Sequence, residues 1–146
     1  MAVIESPPCH ASPDQAIKES LQIVEDRLEG DRDSTFFEVL GAEFRRLHAR
    51  IRTHHAVACL HPPAGKSELP LEVQNEWTRL RDEHPRILGQ LDWLIRHFDS
   101  VADQRTEDQD VFILRVRELI AVLRRHDAEE DRVLAVALWH DTGGES

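Results

Sequence analysis

The sequence predicts an all-α protein: an antiparallel, up-down-up-down four-helix bundle built from two similar helical hairpins. Three observations carry this. Proline and glycine cluster at a few places and leave four long segments between them. Each segment repeats apolar residues in alternating steps of three and four, the spacing of a single buried helix stripe. No alternating pattern of useful length suggests a strand.

The first segment runs from about Pro13 to Glu29. Ser12 is placed to cap it, Pro13 suits a first helical turn, Gln15 completes a capping box, and Gly30 is a natural stop. Its stripe reads Asp14, Ile17, Leu21, Val24, Leu28. The second segment runs from about Ser34 to Leu60, ahead of Pro62-Pro63, with the stripe Phe37, Leu40, Phe44, Leu47, Ile51, His54, Ala58. The third starts near Pro70 and reaches about Asp99 or slightly beyond, with Val73, Trp77, Leu80, His84, Ile87, Leu91, Leu94, Phe98. Pro85 lies inside it, leaves the carbonyl of Arg81 without its helical donor and is expected to kink or bulge the helix beside His84. The fourth begins near Thr106, where Thr106 and Gln109 fit a capping box, and ends near Trp139, before Gly143. Its stripe reads Phe112, Val116, Leu119, Leu123, His126, Glu130, Val133, Ala137. Short connections make successive helices antiparallel. The division expected is a flexible segment over 1–11, the bundle over 12–141 and a tail over 142–146.

A chain of 146 residues suits one domain and can bury roughly 70% of its unfolded surface. With 18 basic against 28 acidic residues the net charge is −10, which argues against nucleic acid or an anionic membrane as partner, since both need a positive field. Charged residues are interspersed with apolar ones rather than blocked together, as on a solvated helical surface. No stretch approaches the ~20 apolar residues of a membrane span. Met1 to Pro8 lacks the basic-then-apolar order of a signal peptide, so a cytoplasmic location is expected. Cys9 and Cys59 are too few for a disulfide framework and are expected to be free, although the topology puts both at one end of the bundle.

The informative residues are the polar ones on the stripes. His54, His84, His126 and Glu130 stand where leucines are expected. A buried carboxylate is expensive unless it is paired or binds a metal. His126 and Glu130, four apart, stack on one helix face, and such an HxxxE pair offers one nitrogen and one oxygen to a single ion. Alternating helix direction brings His54, late in the second helix, His84, early in the third, and His126, late in the fourth, toward the same half of the core. Counting 1.5 Å per residue leaves His54 and His84 about two turns apart. The competing account is a hydrogen-bonded polar core with no ion. His48, His55 and His97 fall off the stripes and read as surface residues, while His61 and His140 sit at helix ends. The acidic run Asp127, Glu129, Asp131 reads as a solvated face, one member of which can orient a ring nitrogen.

The two halves of the chain align. His84, Ile87, Leu91, Leu94, Phe98 match Asp14, Ile17, Leu21, Val24, Leu28, and Val116, Leu119, Leu123, His126, Glu130 match Phe44, Leu47, Ile51, His54, Ala58. A helical hairpin used twice produces this. With "LRDEHPRILGQLDWL" and "LRRHDAEEDRVL" in the second hairpin and "IRTHHAVACL" in the first, the chain resembles the hemerythrin-like (HHE cation-binding) domains from about residue 12 to 140. The resemblance implies a His on the first helix of each hairpin and an HxxxE pair on the second. It makes His84, His126 and Glu130 metal ligands, with His54 a fourth. The chain departs from the pattern at two places: the Glu expected after His54 is Ala58, and the first-helix His falls near Asp14, with His10 one turn earlier.

The resemblance implies non-haem iron, one or two ions, and oxygen, iron, redox or nitric oxide sensing, with O2 or NO as small-molecule partners. Ala58 removes one bridging carboxylate, which counts against reversible oxygen carriage. His84, His126 and Glu130 alone make a two-His, one-carboxylate set that suits mononuclear Fe(II); with His54 the four ligands also suit zinc. The alternative is a metal-free bundle of the same fold acting as an interaction or regulatory module. No nucleophile arrangement, phosphate loop, CxxC pair or ferritin-like ExxH pair supports an enzyme.

Overall fold

The four apolar stripes become four helices: α1 (Ser12–Glu29), α2 (Phe36–Leu60), α3 (Leu71–Val101) and α4 (Thr106–Asp141). A computed structural model describes the backbone over residues 12–60 and 70–141, with side chains over 15–56, 70–136 and at 139. The expectations for Cys9, His10, His61, the side chains of Ser12, Asp14, Ala58, Cys59 and His140, and the terminal segments lie outside the described residues. α1 packs on α2, α2 on α3 and α3 on α4, an all-α four-helix bundle. No described helix is long and apolar enough to cross a membrane.

Cross-helix pairs give the directions. Early α1 meets late α4 through Lys18 and Asp131, at 3.1 Å, and late α1 meets early α4 through Glu29 and Arg117, at 3.3 Å. His48 in α2 lies 3.1 Å from Asp92 in α3, and Arg45 lies 3.2 Å from Asp99. Arg79 in α3 reaches Glu129 in α4, while Phe98 stacks edge-on against Phe112. Each neighbouring pair therefore runs antiparallel.

The stripes are buried as their spacing requires. Every stripe residue with a described side chain is buried except Val73, which is half-buried. Two apolar clusters result. The larger one takes in all four helices from Ile17 and Ile51 down to Phe36, Val101 and Phe112. The smaller one joins Trp77 and Leu80 to Val133 near the other end. Between them lies a polar layer.

The helices are wider than single stripes. In α4, Ile113, Ile120 and Asp127 are also buried, a second column one heptad apart that continues the core face. Asp127 is therefore not on a solvated face: it is 9% exposed and stands 3.7 Å from Lys18 of α1. Connections also differ in detail. Asp33 accepts hydrogen bonds from the backbone N–H and hydroxyl of Thr35, so α2 opens at Phe36. Gln109 does not close a capping box on Thr106. Its amide donates instead to the carbonyls of Val101, Ala102 and Gln104, satisfying the end of α3. α3 runs unbroken through Pro85.

Candidate metal centre

The polar layer is built on the carboxylate of Glu130, which is 3% exposed. The three-four stepping of α4 points Glu130 and His126 inward together. His54 Nε2 from α2 lies 2.9 Å from Glu130 Oε1, and His84 Nε2 from α3 lies 3.1 Å from Oε2. His126 Nε2 is 3.2 Å from the same Oε2. The four residues expected from the sequence thus meet at one carboxylate. The two-turn offset expected between His54 and His84 is not present: with His48 opposite Asp92, the antiparallel register sets His54 within about two residues of His84, roughly 3 Å of rise.

Two participants were not expected. His55, read as a surface residue, is 5% exposed, and its ring stacks on His84 with centroids 3.6 Å apart and planes within 7°. The reason is geometric: Ile51 plus four is as good a continuation of the α2 face as Ile51 plus three, so both His54 and His55 point inward. Glu83 is the other. Its Oε1 lies 2.8 Å from His126 Nδ1, while its Oε2 accepts from Arg79. The role foreseen for Asp127, Glu129 or Asp131 thus falls to a residue of the facing helix. The adjacent His84 was its only sequence signal. His48 and His97 stay half-buried outside the layer, paired with Asp92 and the carbonyl of Trp93.

Electrostatics follow from this packing. Burial alone pushes the Glu130 carboxyl up, but the imidazoles of His126, His54 and His84 set against its oxygens outweigh it and hold the group ionised, well below the usual range. Burial likewise works against a charged His126, yet Glu130 and Glu83 together raise it. In His55 the pull of Glu130 is outweighed: burial, then the neighbouring His84, push it down to about 2, so it is neutral.

Hydrogen-bond accounting leaves three imidazole nitrogens of the layer buried without a partner among the described residues: His54 Nδ1, His55 Nδ1 and His126 Nε2. Native proteins rarely leave such groups unmatched. One ring nitrogen each from His55, His84 and His126 lies within 4.8 Å of the others, a grouping able to hold a metal ion. The spacing around Glu130 fits as well. Donors bound at 2.0–2.2 Å to one ion stand about 3.0–3.5 Å apart at right or tetrahedral angles, and the contacts of His84 and His126 with Oε2 measure 3.1 and 3.2 Å. Imidazoles with one carboxylate suit iron, zinc and copper rather than magnesium or calcium.

The Trp77, Leu80, Val133 cluster closes one side of the layer and the main core the other. Such a shell lowers the local dielectric and strengthens every charge interaction inside it. Comparison with protein-family models, curated proteins and solved structures finds no match.

Proposed function

We propose that this protein is a hemerythrin-like bundle that binds a divalent metal ion, non-haem iron first among the candidates, through His84, His126 and Glu130 with His54 as a fourth ligand. One observation carries the reading. Glu83, as a carboxylate, can only accept, so His126 Nδ1 carries the proton between them. His126 Nε2 then faces Glu130 Oε2 at 3.2 Å without a hydrogen bond. A lone pair against a carboxylate is repulsive, and the repulsion ends when that nitrogen takes either a proton or a cation. A ring nitrogen bound to a carboxylate on one side and left available on the other is the usual dress of a metal-ligating histidine.

Bound there, iron would supply redox and O2- or NO-binding chemistry, and the pattern shared with hemerythrin-like domains supports a sensing role. The chain's own residues orient and insulate. Glu83, held by Arg79, fixes the tautomer and tilt of His126. The flanking apolar clusters exclude bulk water.

A metal-free bundle serving as an interaction module is the second reading. It is favoured by the hydrogen-bonding geometry of His54 and His84 around Glu130, which, with His126 protonated, satisfies the carboxylate without an ion.

Metal analysis of protein purified anaerobically separates the two. The expected result is stoichiometric metal in the wild type and its loss in His126→Ala. No metal in either, with a melting temperature unmoved by added Fe2+ or Zn2+, overturns the metal reading, because an ion at 100 times its dissociation constant adds about 2.7 kcal/mol to a native state that alone binds it.

A further inference from the structure

We propose that His55 is itself a metal ligand, so that the pocket presents three imidazoles, from His55, His84 and His126, together with the carboxylate of Glu130. The inference rests on the metal-binding reading above and changes its fourth ligand: His55 takes the place given there to His54, which holds Glu130 Oε1 at 2.9 Å instead.

His55 is 5% exposed, and its Nδ1 is buried with no hydrogen-bond partner among the described residues. Stacking on His84 accounts for the ring but not for the nitrogen. A phenylalanine or leucine would fill the same space without losing the hydration of a polar atom, a loss that is costly when nothing replaces it. The ring also lies among its own kind: its centroid is 5.8 Å from that of His54 and 5.9 Å from that of His126. One nitrogen from each of His55, His84 and His126 falls within 4.8 Å of the other two. Two nitrogens on one ion stand at most about 4.2 Å apart, so rotations about the soft imidazole χ2 torsions that tilt His55 and His84 out of their parallel stack bring all three to a common point.

The donor set defines the class of ion. Three neutral nitrogens and one carboxylate oxygen form a compact, nitrogen-rich site for a borderline divalent ion, Fe2+ to Zn2+ in the first row, and a poor one for Mg2+ or Ca2+.

Co2+ is a suitable probe, because its visible d–d bands report donor type and geometry. Full-length wild type and His55→Phe, which keeps a stacking ring, would be titrated with Co2+ and then with Zn2+ in competition. The expected result is at least a tenfold weaker affinity in His55→Phe, the scale on which even outer partners of metal ligands act, with displaced d–d bands. Affinity within twofold of wild type and unchanged bands would remove His55 from the ligand set while leaving the metal site standing. Failure of the wild type to bind Co2+ or Zn2+ would sink the underlying reading and this one together. Wild type loaded with 113Cd needs no variant: coupling from cadmium to the ring protons of His55 is expected, and coupling confined to other histidines overturns the assignment even if His55→Phe folds poorly.

Discussion

At the scale of single residues, Glu83 decides how good a ligand His126 is. It accepts the Nδ1 proton, raises the basicity of the ring and is itself anchored by Arg79. Glu83→Gln keeps an acceptor of nearly the same shape but removes the charge. Its metal affinity should fall 10- to 100-fold, as for other outer partners of ligating histidines, and the His126 ring should titrate at lower pH in the metal-free protein. Isothermal titration with Zn2+ and histidine NMR would check both. An unchanged affinity would show that the charge of Glu83 does not act through His126. The HxxxE pair was legible in the sequence because both members lie on one helix at a fixed offset. Glu83 was not, since a partner on a facing helix depends on how the two helices are rotated against each other.

At the scale of elements, two glycines make opposite predictions. Gly89 lies on an exposed stretch of α3, and a Cβ there meets nothing within 4 Å. Gly89→Ala should therefore stabilise by about 0.5–1 kcal/mol through helix propensity alone. Gly41 in α2 faces Phe98, and a Cβ there would stand 3.1 Å from Phe98 Cβ and 3.3 Å from Cγ. Phe98 is wedged between Phe44, at 5.3 Å, and Phe112, at 4.9 Å between ring centroids, so it has no room to withdraw. Gly41→Ala should destabilise by about 1–2 kcal/mol despite the better helix former, because overpacking outweighs propensity in a tight core. Midpoints of urea unfolding for the two variants should move in opposite directions. A shared direction would mean that α2 and α3 are not held together at Gly41 as closely as the structure has them.

At the scale of the whole molecule, three buried groups set the pH dependence of the metal-free fold. Glu130 is held below its ordinary 4.5, so its contribution is present above that value and is lost as pH falls. His55 is held down to about 2 from 6.5, so its contribution is full above pH 6.5 and declines below. His126 is raised above 6.5, so its contribution is full below that pH and is lost as pH rises through its folded value. The melting temperature without metal should therefore peak near pH 6.5 and decline on both sides. Zn2+ replaces the proton on His126, so the stabilisation from saturating Zn2+ should grow between pH 6 and pH 8, by up to about 1.4 kcal/mol per pH unit for each proton released, and the gain in melting temperature should grow with it. A gain independent of pH over that range would mean that the ion displaces no proton. Four helices, their order, the breaks between them and the inward placement of His54, His84, His126 and Glu130 were determined by the sequence alone, because three-four spacing and glycine-proline punctuation act locally along the chain. The burial of His55 and Asp127, the hydrogen bond from His126 to Glu83 and the meeting of three helices on one carboxylate were decided only by tertiary structure. Those depend on how wide a face each helix buries and how neighbouring helices are rotated, and neither is a property of any one segment.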